Sequence, residues 1–402
     1  MFRQWIPAWS SLVVACSAAG ANAPAVYPGI DVLLTDSIHL VRGKRVGLLT
    51  NQTGVDRGGK GDVERLLAAG VHLTALFGPE HGFRGGLDQQ NIGNRVDSAT
   101  GLRVYSLYGL VNAPSPAMLE QVDVILVDLQ GIGARTYTYT STALLTLTAA
   151  ARVQKPVILL DRPDPIGGEA VQGPVLDTAF ASFVGMLPVP LRHGMTIGEL
   201  VRFGAARLGL SSFLTVVPVA GWTRSQWFDQ TGLPWVGPSP NMPDLESATH
   251  YPGLVVFEGT NLSVGRGTPM AFQVVGAPWL DPPRVRALLG DIPGVAVSIT
   301  TITPSDPSDG KYPGQLLPAL AFHVTDRTTY DPTRLAARLL WAIHRAHPTQ
   351  LVFTDATFDR LAGSDAWRRA AEVGTGGDAI WRSWQTGVER FKHERAPYLL
   401  YK

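Results

Sequence analysis

Cysteine is nearly absent from this 402-residue chain: Cys16 is the only one, so the fold contains no internal disulfide. No pair of histidines has a spacing typical of zinc sites. A metal would have to draw on His81, Asp128 and Asp161, and no metal is assigned. No Gly-x-Ser-x-Gly occurs, which removes the serine nucleophile elbow. Gly131-Ile-Gly-Ala-Arg135 fails as a dinucleotide fingerprint because Thr136 stands where a glycine or alanine packs the helix, and Gly58-Gly-Lys-Gly61 lacks the phosphate-loop spacing. The formal net charge is only +1, which argues against nucleic acid or an anionic membrane surface as partner. There is no internal repeat and no apolar run of the roughly 20 residues that a membrane helix needs. No cofactor is indicated.

What is present begins with an export signal over residues 1–23: Arg3, an apolar patch from Trp5 to Ala15, then small residues to Ala23. Ala19-Gly-Ala21 offers a cleavage site, while Val13-Val-Ala-Cys16 resembles a lipoprotein box that would acylate Cys16. The chain is therefore expected outside the cytoplasm, in the periplasm or beyond, with a lipid anchor as the variant outcome.

From Gly29 onward, buried strands alternate with helices. Strands are expected at 45–50, 71–77, 103–107, 122–128 and 156–161, and helices at 62–69 and 141–153, a rhythm that implies a parallel sheet covered on both faces. The texture changes near Ser182. Thr196 and Glu199 have capping-box spacing for a helix reaching Leu208, and 214–219 reads as an edge strand because it contains Pro218. Tryptophan is absent between Trp9 and Trp222 and frequent afterwards, which supports a second domain of different character. In it, strands are expected at 254–257, 295–301 and 319–325, and helices at 332–347, 364–373 and 378–391.

The polar residues fall where such a sheet presents them together. Asn51, Glu80, Asp128 with Gln130, and Asp161 with Arg162 each end a separate strand, and in a parallel sheet those ends share one edge, where ligands bind. Glu80 lies in Phe77-Gly-Pro-Glu-His-Gly-Phe-Arg-Gly85 beside His81 and Arg84. His193 precedes a helix and either faces a ligand or is a hydrogen-bonded structural residue. Asn241 sits on a rigid proline-rich loop, and Glu258, Asn261 and Arg266 lie on glycine-permitted backbone. A carboxylate- and amide-rich crevice without a cofactor suits glycoside hydrolysis, in which one carboxylic acid protonates the leaving oxygen and a second group attacks, activates water or stabilises the cationic sugar. Glu80 is the acid–base choice.

Seven stretches together carry a resemblance: the Phe77–Gly85 motif, Tyr105-Ser-Leu-Tyr-Gly109, Arg135-Thr-Tyr-Thr-Tyr139, Asp161-Arg-Pro163, Pro190-Leu-Arg-His-Gly-Met-Thr196, Pro238-Ser-Pro-Asn-Met-Pro243 and Glu258-Gly-Thr-Asn-Leu-Ser-Val-Gly-Arg-Gly267. In this order they resemble the bacterial exo-β-N-acetylmuramidase family, long catalogued as a domain of unknown function. The resemblance implies release of N-acetylmuramic acid from the non-reducing end of peptidoglycan fragments. It also implies a Rossmann-like catalytic domain, here residues 27–185, followed by a smaller α+β domain, residues 186–402, with the active-site cleft between them. Glu80 matches the family's catalytic glutamate. The family commonly reads Asp-x-Gln-Asp where this chain has Asp128-Leu-Gln-Gly131, so Asp128 is expected to carry any second carboxylate function unless substrate preference has drifted. For the lactyl carboxylate of such a substrate the candidates are Arg84, Arg135 and Arg266. For its acetamido group they are Asn51, Asn241 and Tyr137, and Tyr139 is taken into the same binding set. The rival reading is a non-catalytic cell-wall sugar-binding protein; a metal-dependent hydrolase stands third.

Overall fold

The computed structural model describes residues 24–89 and 92–402; the expected leader, with Cys16, lies outside them. Among the described residues, seven strands form one sheet: β1 (Arg45–Thr50), β2 (His72–Gly78), β3 (Arg95–Val96), β4 (Arg103–Ser106), β5 (Val124–Asp128), β6 (Val157–Leu160) and, beyond a separate two-stranded ribbon β7 (Gln172–Val175) and β8 (Pro190–Arg192), β9 (Leu214–Val217). Their order is β3-β4-β2-β1-β5-β6-β9, parallel throughout except for β3 against β4. Pro218 follows β9, which closes one edge as expected. That strand lies past residue 186, where the sequence suggested that the second domain begins, because its Val216 and Val217 complete the ladder beside β6.

Strand alternation explains why both faces are covered. Val46 and Leu48, Val124 and Leu126, and Ile158 and Leu160 pack on one side with Ile30 and Leu33 of α1 (Gly29–Asp36) and Leu66 of α2 (Asp62–Ala68). The intervening Leu49, Ile125, Val127, Val157 and Leu159 face the other way. They join a core with α4 (Tyr139–Arg152, after the short α3, Pro116–Leu119) and α5 (Ile197–Arg207). Runs of this kind, buried on both faces, are the signature of parallel sheets.

That second core runs without interruption into the C-terminal half. There α6 (Leu245–Leu254), a three-stranded antiparallel sheet β10 (Val274–Gly276), β11 (Val295–Ile302) and β12 (Leu317–Val324), α7 (Pro282–Leu289), α8 (Pro332–Ala346), α9 (Asp355–Ala362), α10 (Ala366–Glu372) and α11 (Gly377–Arg395) form the smaller α+β domain. Residues 254–257, expected as a strand, are instead the end of α6 and a following 3-10 turn. The Asp244 side chain caps α6 by accepting from the Ser247 N–H at 2.8 Å, and helix then runs on through β-forming valines because every side is buried. Among the described residues no helix is long and apolar enough to cross a membrane.

Candidate active site

β2 ends at Gly78, and the chain folds back at once. A side chain at Gly78 would meet the Phe83 nitrogen at 2.8 Å, and His81 and Gly82 both take left-handed backbone, φ 66° and 75°. Gly82 is suited to that conformation; His81 is not, and such strain is commonly held at functional sites. Its imidazole Nδ1 lies 3.0 Å from the Leu87 carbonyl. Since a carbonyl only accepts, Nδ1 carries a hydrogen.

The tight turn presents Glu80 to the first residues of α4. Glu80 Oε2 accepts a hydrogen bond from Thr138 Oγ1. Around this carboxylate stand Tyr108, Tyr137, Tyr139 and Tyr251; burial, and with it the charge of Glu80, pushes all four phenols above their ordinary pKa, so they remain hydrogen-bond donors. Tyr137 meets Tyr139 and Tyr251 edge-on with ring centroids 4.9 and 6.0 Å apart, forming an aromatic wall. The Tyr137 hydroxyl is buried and makes no hydrogen bond among the described residues. Tyr139 donates to the Pro238 carbonyl and accepts from Asn51 Nδ2 at 2.8 Å, which ties the end of β1 to the 238–243 loop.

The opposite side comes from the loop after Glu80 and from the C-terminal half. Asp88 Oδ2 accepts from Asn241 Nδ2 at 2.6 Å and lies 3.9 Å from Arg266 Nη1. Arg266 Nε is bound by Glu258, its guanidinium stacks 5.2 Å over the Phe272 ring, and the adjoining acids hold its pKa above the usual arginine range despite burial. Lys311 Nζ secures the Glu258 backbone, donating to the carbonyls of Glu258 and Leu262 at 3.1 and 2.9 Å. Acid, amide, cation and phenols from both halves thus meet in one place.

Several expected site residues are occupied elsewhere. Asp128 is 0 % exposed and paired with Arg162, whose Nη2 lies 3.0 Å from Oδ2. Arg162 also donates to the Val55 carbonyl at 2.8 Å. Asp62 sits beside this pair, and burial together with the Asp128 charge drives its carboxyl well above the ordinary range. Asp161 accepts from Thr196 Oγ1, Tyr401 OH and the Arg162 and Gly198 N–H groups, at 2.6 to 3.0 Å, so it anchors α5 and the C-terminus. Gln130 Nε2 donates to the carbonyls of Gly131 and Pro163, both at 2.8 Å.

Arg135 is committed to backbone carbonyls. Its guanidinium donates to the carbonyls of Pro174, Val189 and Leu361, and burial without a counter-ion pushes its pKa down to about 9. His193 is buried, accepts from the Met195 N–H at 3.1 Å, and is driven down to about 3 by burial and by Arg395, which fits its structural reading. Asn261 pins the 350–352 segment through Gln350 and Val352. Arg84 is 63 % exposed and paired with Asp97 at 2.5 Å; it borders a separate cavity of about 540 Å³ with Asn51, Gln52 and Phe83. His81, Asp128 and Asp161 do not converge on one point, each being held by the partners named above.

Asp88, Tyr108, Thr138, Tyr251 and Lys311 were not singled out from the sequence. Asp88 stands eight positions after Glu80 in the same loop and Tyr108 in a motif already noted, so proximity in sequence could have found both. Tyr251 and Lys311 lie in segments without any site-like signal.

Two family models cover most of the chain: the one described as the N-terminal part of the exo-beta-N-acetylmuramidase NamZ matches residues 46–246, and its C-terminal counterpart matches residues 249–401. The chain is 40% identical over 386 residues to the peptidoglycan beta-N-acetylmuramidase NamZ of Bacillus subtilis (strain 168), covering 95% of this chain and 92% of that protein. Two solved structures of DUF1343 family proteins from Bacteroides fragilis NCTC 9343 superpose with TM-scores of 0.86 and 0.74 at 33% and 32% identity, each covering 94% of this chain and 99% of its own.

Proposed function

Because the chain belongs to the exo-beta-N-acetylmuramidase family, we propose that it hydrolyses terminal N-acetylmuramic acid from the non-reducing end of peptidoglycan fragments, with Glu80 as the acid–base catalyst. The observation that carries this reading is the placement of Glu80: a carboxyl at a strained strand end, hydrogen-bonded by Thr138 and enclosed by tyrosines, where both halves of the molecule meet. Glu80 gives its proton to the glycosidic oxygen as the bond from that oxygen to the anomeric carbon breaks, and the bond's electron pair leaves with the aglycone. A water then adds to the anomeric carbon and returns a proton to Glu80, so the catalyst ends as it began.

The remaining side chains take roles by elimination. Of the three arginines considered for the lactyl carboxylate, Arg266 alone faces the Glu80 cluster, and we assign the carboxylate to it. Tyr137, with an uncommitted hydroxyl, suits the acetamido group better than Asn51, which is spent on Tyr139 and Thr53. Asp128 acts at a distance, by fixing Arg162 beneath the sheet edge. A substrate in the cell wall accords with the leader over residues 1–23 and with action outside the cytoplasm.

The test is Glu80→Gln, which keeps the shape and removes the transferable proton. Release of a chromophore from an aryl β-N-acetylmuraminide should fall by about 10²–10⁴ while the thermal midpoint stays within a few degrees. Activity near that of the parent would overturn the assignment.

A further inference from the structure

Glycoside hydrolysis by an acid–base residue leaves one requirement open: negative charge facing the sugar as positive charge develops on it. Asp128, the carboxylate favoured by the sequence, is enclosed under the sheet edge and neutralised by Arg162. Glu258 is bound to Arg266 Nε, and Asp309 accepts from the Lys311 N–H with the Lys311 ammonium 3.9 Å away. Asp128 and Glu258 are thus each held directly against a guanidinium, and Asp309 is turned to the Lys311 backbone.

Asp88 is placed differently. It shares the loop of Glu80, its side chain is 30 % exposed, and it is held through one oxygen, Oδ2, by the amide of Asn241. Arg266 Nη1 stands 3.9 Å from the same oxygen, while the Nε of that guanidinium is taken by Glu258. The other oxygen, Oδ1, lies on the side of His81, 3.8 Å from an Nδ1 already donating to Leu87. Burial, and with it the charges of Glu80 and Asp88, raises the Tyr108 phenol, so both carboxylates act on one side chain.

We propose that Asp88 is the second catalytic carboxylate: fixed by Asn241 and directed at the sugar to balance the charge that appears when Glu80 surrenders its proton. Asn241 is then a positioning residue, and the C-terminal half contributes to catalysis by aiming a group of the N-terminal half. The proposal rests on the hydrolase reading above. It adds no reagent to the reaction, since Asp88 neither gains nor loses a proton in the step.

Asp88→Asn removes the charge and little else. On the aryl muraminide it should lower kcat by about 10²-fold or more with KM changed less than about threefold, because charge that matters only in the transition state is lost from kcat. Asn241→Ala, which leaves the carboxylate but not its support, should cost about tenfold in kcat. Added formate should partly restore turnover to Asp88→Ala, an effect that a merely structural role would not give. A kcat within threefold of the parent for Asp88→Asn, a loss confined to KM, or full kcat in Asn241→Ala would overturn the proposal. Should Asp88→Asn lose its cooperative melting transition, Asn241→Ala and formate rescue still decide. Retained activity in Glu80→Gln sinks the hydrolase reading, whereas loss there with retention in Asp88→Asn sinks this inference alone.

Discussion

Asp164 and His193 border the same small polar cavity behind Tyr137, and each is neutralised by its surroundings in the opposite sense. Burial raises the Asp164 carboxyl to about 7 against partial relief from Arg192, and its Oδ2 has no hydrogen-bond partner among the described residues. A carboxyl with an ordinary value near 4 when unfolded and about 7 when folded holds a proton only in the native state between those limits. Its contribution to stability is therefore complete below about pH 4 and is lost as pH rises through 7. Asp164→Asn mimics the neutral acid at every pH. Its unfolding free energy should match that of the parent near pH 4 and exceed it at pH 8 by about 1–3 kcal/mol, read from urea titrations at the two values; a constant difference would show that Asp164 does not titrate in this window. The same residue-level view explains what the sequence made legible at the site. Glu80, Asn51, Asp128, Asp161 and Arg162 all reach the expected sheet edge, since strand ends are set by local pattern. Which of them is left free depends on partners far along the chain, such as Tyr401 for Asp161 and Pro238 for Tyr139.

Elements were readable where one physical signal dominated. Residues 45–50 form a strand with the expected limits, and the Thr196–Glu199 box starts α5 as its spacing requires. The Leu254–Phe257 run was misread because a helix buried on every side has no amphipathic period, and its valines then weigh toward strand. The eight-residue helices α1, α7 and α9 were not among those expected, although the seven-residue α2 and α10 were. At α5 the cap serves two purposes: Thr196 Oγ1 accepts from the Glu199 N–H at 3.2 Å and donates to Asp161 at 2.6 Å. Thr196→Val keeps the shape and removes both bonds. It should lower the unfolding free energy by about 2–3 kcal/mol, more than a cap alone, by leaving a buried carboxylate short of a donor. Urea unfolding measures it, and a loss below about 1 kcal/mol would mean that Asp161 is satisfied without Thr196.

At the scale of the molecule, the two halves share one apolar core and are cross-pinned by long-range polar bonds. Arg135 spans Pro174, Val189 and Leu361, Arg395 reaches the carbonyls of Gly168 and His193, and Tyr401 returns to Asp161. This construction holds Arg266 of the second half within 3.9 Å of Asp88 of the first, and the proposed roles divide substrate selection from chemistry, with Glu80 assigned to the bond and Arg266 to the substituent that distinguishes muramic acid from glucosamine. Arg266→Met should accordingly raise KM for an aryl N-acetylmuraminide by about 10–10³-fold, while the matching N-acetylglucosaminide, which lacks the lactyl carboxylate, changes far less. The decisive quantity is the ratio of kcat/KM for the two glycosides, because any general disturbance from releasing Glu258 affects both alike and cancels. A collapsed ratio with an intact melting transition places the lactyl group on Arg266. An unchanged ratio would move that group to Arg84, the other arginine with an accessible guanidinium, and with it the sugar toward the cavity lined by Gln52 and Phe83.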